Sequence, residues 1–279
     1  MTKPGNARGR VVLTGGAGNV ARALRPELVK GGIDDLVLLD LADPGELRPG
    51  ERWSRTDITD LEALTAALAG ARSVIHLAGF PRDGEFESIL AINVVGTSNL
   101  YEAARRAGVE RVVYGSSNHA TGFYPRSATV RPEDPMRPDG LYGLSKCWGE
   151  LTAGLYFEKC GIRTLAIRIG NAQERPTNPR SLLIWISPRD LAQLVFIGLD
   201  HPEIDCHTVW GIGASGTTWY DNSTAERLGY RPQDVPADFA APGAQEPRAS
   251  EMPAIEDHFQ GAMFCMWGHD GVVRRRQGV

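Results

Sequence analysis

The chain has 279 residues, 42% hydrophobic and 23% charged, with a net charge of −4. That suits one large α/β unit, alone or with a smaller lobe, and offers no reason to expect nucleic acid or an anionic membrane surface as partner. No apolar run approaches the roughly 18 residues of a membrane span, Met1 to Arg10 is polar without an apolar leader, and Arg274-Arg275-Arg276 reads as a solvated tail. Cys147, Cys160, Cys206 and Cys265 are scattered with no CxxC, which fits reduced thiols in a cytoplasm better than a disulfide framework or a metal site.

Val11-Val12-Leu13 leads directly into Thr14-Gly15-Gly16-Ala17-Gly18-Asn19-Val20-Ala21, and a helical pattern follows through Leu24, Leu28 and Val29 to Gly31-Gly32. Strand, glycine turn and helix in that order suit a pyrophosphate: glycines let the backbone come close, and the helix N-terminus offers free N–H groups. The plainer alternative is a glycine-rich turn with no ligand. Residues 36–39 read as the next strand, ending in Asp40, 25 residues after Gly15. A carboxylate there accepts the hydroxyls of an adenosine ribose and repels a 2′-phosphate, and no arginine stands beside it. The pair predicts NAD rather than NADP.

A third unit opens at Asp57-Ile58, with Asp60 placed to cap a helix through Leu61, Leu64, Ala67 and Leu68. Residues 73–79 read as a buried strand, with His76 as packing rather than a ligand. Its end, Leu77-Ala78-Gly79, is small enough for a flat cofactor to lie on the backbone. A helical pattern over 86–107 contains Asn93, which is disfavoured mid-helix unless its side chain has a task. Residues 110–114 form a fifth strand leading into Gly115-Ser116-Ser117-Asn118-His119. The alternation predicts a doubly wound parallel sheet, with Thr14-Gly15, Asp40, Ala78-Gly79 and Ser116-Ser117 on one edge.

A proline-rich connection over 122–140 precedes a helix over 141–159, and 162–169 is a sixth strand. Beyond it, 170–180 reads as loop, 190–199 as helix, 207–210 as a short strand and 224–228 as a helical turn; the remainder is weakly periodic. The expected division is a Rossmann unit with the catalytic dyad over 1–170 and a small substrate-binding lobe over 171–279, partly interleaved with the sheet. Tyr142 and Lys146 stand four apart and so share one helix face. A nearby ammonium favours phenolate, which makes Tyr142 a candidate general base, although the spacing alone is a weak signal.

The TGGAGNVA turn, Asp40, Ser117 and the Tyr142/Lys146 pair together resemble the short-chain dehydrogenase/reductase family, in its extended branch. Ala21 replaces the usual third glycine. The resemblance implies that Tyr142 is the general acid/base. It implies that Lys146 lowers the phenol's pKa and holds the nicotinamide ribose, and that Ser117 hydrogen-bonds the reacting oxygen. Asn93 supports a water-linked proton path from the lysine. The implied cofactor site is Gly15, Gly18, Asn19, Val20, Asp40, Asp57, Ile58, Leu77, Ala78 and Gly79, with Tyr142 and Lys146.

Within that family, residues 116–119, 122–125, 137–143, 145–147, 168–170 and 219–222 are similar to the uronate dehydrogenases, which oxidise C1 of galacturonate or glucuronate with NAD to an aldarolactone. That implies a sugar-acid substrate, with Ser117, Asn118 and His119 on its hydroxyls and Arg180 on its carboxylate, whose planar shape suits the guanidinium fork. A homo-oligomer is expected. Pro81 and Asn171 occupy substrate-site positions where those enzymes carry serines, so the choice of sugar stays open. A dehydrogenase of another aldose or sugar acid, and a nucleotide-sugar epimerase or dehydratase, are the alternatives. A non-catalytic NAD-sensing protein is disfavoured, since a sensor needs none of the Tyr, Lys and Ser.

Overall fold

The computed structural model describes residues 8–82, 84–215, 218–246 and 250–274. The first seven residues of the polar N-terminus, and Arg275 and Arg276 of the basic run, lie outside the described residues. Among those described, seven strands pair in parallel: β1 (Arg10–Thr14), β2 (Leu36–Asp40), β3 (Glu51–Arg55), β4 (Ala71–His76), β5 (Arg111–Ser117), β6 (Arg163–Ile169) and β7 (Cys206–Gly211). Their order is β3-β2-β1-β4-β5-β6-β7. The chain reverses direction across the sheet between β1 and β4, and a crevice beyond the C-terminal strand ends at such a point is where ligands bind.

Central strands are apolar on both sides because helices cover both faces. Val11 and Leu13 pack with Leu24 and Leu28 of α1 (Asn19–Lys30). Val12 packs on the other face with Leu64 of α2 (Leu61–Ala67) and neighbouring helices. Each fully buried Leu or Val contributes about 1.5–3 kcal/mol. Asp60 caps α2 as its position predicts, accepting from Ala63 N at 3.0 Å.

The helical stretch over 86–107 is divided. It runs as α3 (Phe86–Ile89), a π-helical segment (Leu90–Val95) holding Asn93, and α4 (Gly96–Ala107). After α5 (Leu141–Cys160), the expected loop over 170–180 ends in α6 (Pro179–Ile184), started by an Asn178/Ser181 capping box with proline in its first turn. Those are ordinary helix-start signals. Then α7 (Pro188–Asp200) and β7 complete the main sheet and its α1-side layer. β3 can be polar because it lies at the edge of the sheet; its one buried residue, Glu51, forms a 2.5 Å ion pair with Arg25 of α1.

The chain beyond β7 includes α8 (Ser223–Arg227) and α9 (Pro253–Glu256). The lobe above the strand ends is built jointly by these residues and the proline-rich connection, through bridges Pro125–Phe259 and Val130–Tyr220. Tyr124, Val130, Ile184, Trp210 and Tyr220 form its main apolar cluster. Trp185 is buried and stacks on Phe239 at 5.0 Å. Cys147 is buried, and the four cysteines are free. No helix among the described residues is long and apolar enough to cross a membrane.

His76 packs as expected from sequence. Its ring bridges Thr14 Oγ1 (2.7 Å) and Thr97 Oγ1 (3.3 Å), joining β1, β4 and α4. Burial, with a smaller push from Lys146, lowers its pKa from 6.5 to about 3. The unfolded chain therefore binds more protons than the fold between those values, and stability rises with pH across that window. Between pH 7 and pH 5 the unfolding free energy should fall by about 2 kcal/mol from this group. Urea titrations at the two pH values should show that loss in the parent and a much smaller one in His76→Gln; equal losses in both contradict the assignment.

Candidate active site

Gly15 has φ +72°, and a β-carbon there would lie 2.7 Å from Ala78 N, so only glycine fits between β1 and the end of β4. Ala17 N donates to Asp40 Oδ2 at 3.0 Å, and Ala42 N to Oδ1 at 2.9 Å. Asp40 thus ties the glycine turn to the end of β2 and keeps lone pairs for further donors. Gly18 and Asn19, at the start of α1, are exposed, and Val20 is half-buried on the core. Asp57 accepts from Thr59 N and Oγ1, both at 2.8 Å. Ile58 is nearly buried, and a β-carbon at Gly96 would lie 2.5 Å from its Cδ1. Leu77, Ala78 and Gly79 follow β4, with Ala78 N donating to Thr14 Oγ1 at 3.2 Å.

One expectation needs correction. Arg55 of β3 is in register with Asp40, and its Nε donates to Leu41 O at 3.2 Å. An arginine does stand at this end of the site. Strand pairing brings it there, from a strand whose polar composition hides it.

The second half of the site is set by how closely α5 approaches β5. A β-carbon at Gly149 would overlap the Tyr114 phenol, and one at Gly143 would overlap the His119 carbonyl oxygen. This contact places Tyr142 beside Ser117, whose hydroxyl hydrogen-bonds the phenol and also accepts from His119 N at 3.2 Å. Lys146 Nζ donates to Gly115 O at 2.8 Å and lies 5.6 Å from the Tyr142 ring centre. Burial pushes the phenol up to about 12; the Ser117 bond pulls the other way and the Asp139 charge adds to the rise. Burial lowers Lys146 to about 8, opposed by Glu150. Lys146 stands beside the phenol, as the resemblance implies. Its ammonium donates one of its three hydrogens to the Gly115 carbonyl.

Asn93 has the task that its position demanded. Its Oδ1 accepts from Phe80 N (2.6 Å), and its Nδ2 donates to Phe80 O (3.1 Å) and Ser145 Oγ (2.9 Å). The amide braces the loop after β4 against α5, and both its hydrogens are committed. One turn beyond Lys146, buried Glu150 takes a two-point bond from Arg168 of β6 (3.0 and 2.8 Å) and one from Ser116 Oγ (2.5 Å).

On the lobe side, Asn118 is satisfied with its amide oxygen accepting from Arg180 Nη2 at 2.7 Å and its nitrogen donating to Ile169 O at 3.3 Å. Arg180 Nε donates to Gln260 O at 2.7 Å, and burial lowers the guanidinium's pKa. His119 Nδ1 lies 2.7 Å from Asp139 Oδ2. Asn171 is held by its backbone between Ile184 and Ile186, with Oδ1 accepting from Gln173 N at 3.2 Å. Pro81 is exposed on the loop after β4. Ser117, Asn118, His119, Tyr142 and Arg180 thus converge.

Phe264, stacked on the His119 ring at 3.7 Å, was missed in sequence because its stretch has no periodicity. Asp139 was missed although it stands three residues before Tyr142. Among the described residues no cluster of three or more His, Cys, Asp or Glu could hold a metal ion.

A profile described as the NAD dependent epimerase/dehydratase family matches residues 11–179. A uronate dehydrogenase of Pseudomonas putida is 39% identical over 261 residues, 93% of this chain and 96% of that one. An NAD-dependent glucose-6-phosphate dehydrogenase of Haloferax volcanii is 33% identical over 84% of this chain and 96% of its own. A solved mutant of the Agrobacterium tumefaciens uronate dehydrogenase, complexed with NAD, superposes with a TM-score of 0.85 at 36% identity, covering 95% of this chain and 99% of that one.

The Glu150–Arg168 pair should dominate the site's stability. Arg168→Leu leaves a buried carboxylate without its counter-charge and should cost about 3–5 kcal/mol in chemical denaturation. A variant as stable as the parent contradicts that account of the pair.

Proposed function

The chain belongs to the NAD dependent epimerase/dehydratase family, and we propose that it oxidises C1 of a uronic acid, of the galacturonate or glucuronate type, to the aldarolactone with NAD. The observation that carries the reading is the convergence of Ser117, Tyr142 and Lys146 with Asn118, His119 and Arg180 at the sheet edge that also holds the Gly15 turn.

The residues fit NAD. Gly15 has no room for a side chain, the anchored Asp40 keeps lone pairs for ribose hydroxyls, and Gly79 leaves open a space that a β-carbon would take 3.6 Å from Lys146 Nζ. Gly15, Gly18, Asn19 and Asp40 hold the adenosine and pyrophosphate end, with Val20, Asp57 and Ile58 beside it. Leu77 to Gly79 and Lys146 hold the nicotinamide end. NAD supplies the hydride acceptor.

Tyr142 takes the proton of the anomeric hydroxyl, and Ser117 hydrogen-bonds the same oxygen. Arg180 is held through Nε by Gln260 and through Nη2 by Asn118, and its remaining N–H groups take the substrate carboxylate. Asn118 and His119 take ring hydroxyls. Asn93 acts by bracing the loop after β4. The four free thiols fit a reducing, cytoplasmic setting. A second reading keeps the chemistry and changes the sugar: Pro81 brings no hydroxyl to the site, and the 33% identical relative is a glucose-6-phosphate dehydrogenase, so another aldose bearing an anion at C6 is the runner-up.

We also propose a homo-oligomer formed through α5. Its outer face exposes Leu144, Trp148, Leu151 and Leu155, spaced as the seam of paired helices.

Tyr142→Phe should cut turnover by ~10²–10⁴-fold with NAD affinity preserved; a near-normal rate in an NADH-absorbance assay contradicts the mechanism. Arg180→Ala should raise the uronate KM well above any effect on a neutral aldose, and an unchanged KM removes the carboxylate assignment. Leu151→Glu should lower the particle mass seen in sedimentation; an unchanged mass places the contact elsewhere.

A further inference from the structure

Asp139 touches no reacting atom in the proposed chemistry and acts on Tyr142 only through its charge, yet among the described residues it is a fully enclosed charged group. Its side chain is fully buried. β-Carbons at Gly122 and Gly261 would overlap its carboxylate, and one at Gly143 would lie 3.1 Å from Oδ1. Three separate segments thus surround it with residues that lack side chains. Oδ1 has no hydrogen-bond partner among the described residues, and Oδ2 meets His119 Nδ1 at 2.7 Å. A buried carboxylate with so few partners is costly, so a role in filling space alone would favour a neutral residue.

The His119 ring is clamped on its other sides. It stacks on Phe264 at 3.7 Å and meets the Tyr142 ring edge-on at 6.0 Å. Its backbone N donates to Ser117 Oγ, and its carbonyl accepts from Asp139 N. Nε2 has no partner among the described residues and is not a sealed, unsatisfied atom.

We infer that Asp139 is a positioning residue that fixes the orientation and tautomer of His119, so that Nε2 faces the sugar as a hydrogen-bond acceptor for one of its hydroxyls. An ionised carboxylate can only accept, so Nδ1 carries the proton that faces it, and whenever the ring holds a single proton the lone pair is left on Nε2. A sugar epimer or deoxy sugar lacking a hydroxyl at that point leaves Nε2 unpaired. The pair thereby contributes to specificity. The inference rests on the uronate reading for its ligand, and on the geometry above for the tautomer.

The test is a double-mutant cycle with an independent spectroscopic readout. Asp139→Asn preserves shape, but its amide can donate as well as accept and no longer enforces one tautomer. It should raise the uronate KM about tenfold and leave NAD affinity unchanged, move kcat only through a shift of its pH profile because the Asp139 charge also acts on Tyr142, and add nothing further to KM in a His119→Ala background. A KM unchanged from the parent, or the same factor in both backgrounds, overturns the inference. If the variant fails to fold, ¹⁵N-histidine NMR of the parent at pH 8 decides instead. A proton on Nδ1 alone supports the assignment; a proton on Nε2 alone, or on both nitrogens, overturns it. A parent that oxidises no uronate refutes the proposed substrate and leaves the NMR result to judge the Asp139–His119 arrangement separately.

Discussion

The site depends on how closely one helix lies against one strand. α5 can settle on β5 and the turn after it because Gly143 and Gly149 put no side chain at the contact. That approach brings Lys146 Nζ to the Gly115 carbonyl and Tyr142 to Ser117. A methyl group in the contact would push the helix outward, and the dyad would leave the strand end that carries the serine. The same helix is apolar on its outer face. Helix α5 is therefore a shared wall, with the chemistry on one side and the proposed subunit contact on the other.

Charge is placed around that wall in pairs. Glu150 is neutralised by Arg168 and bonded to Ser116, so an anion sits one turn from Lys146 and sustains its proton against burial. Asp139 sits on the other side, facing His119 and raising the proton affinity of Tyr142. A phenol pushed up to about 12 is a poor base at rest. Burial and the Asp139 charge hold the proton on Tyr142 more tightly than on an exposed phenol, and a positive charge brought beside it would favour phenolate. Arg180, at the start of α6, is held by Gln260, so the proposed carboxylate partner is fixed in place by the fold itself.

Features written into contiguous residues could be read from the sequence. The glycine turn, Asp40 at its fixed distance, the small end of β4 and the Tyr142/Lys146 spacing are local, and the parallel sheet follows from the alternation of strands and helices. Features made by pairing or enclosure could not. β3 is polar because it is an edge strand, and only its register reveals Arg55 opposite Asp40. Asn93 stands out by its poor helix propensity, but the bonding of its amide to Phe80 and Ser145 depends on the π-helical segment that holds it. The Asp139 enclosure draws glycines from positions 122, 143 and 261, and Phe264 reaches His119 from an aperiodic stretch. The start of α6 is also local, in the Asn178/Ser181 capping box and its first-turn proline.

The central claim is that a hydride leaves C1 of a sugar acid for good, rather than being returned to the same sugar as in an epimerase. The most direct measurement uses C1-deuterated galacturonate with NAD, followed by mass spectrometry of cofactor and sugar. The account predicts one deuterium in the reduced cofactor and an unlabelled lactone that retains its C6 carboxylate. Deuterium kept at C1 of a sugar inverted at C4, with no net reduced cofactor, contradicts it.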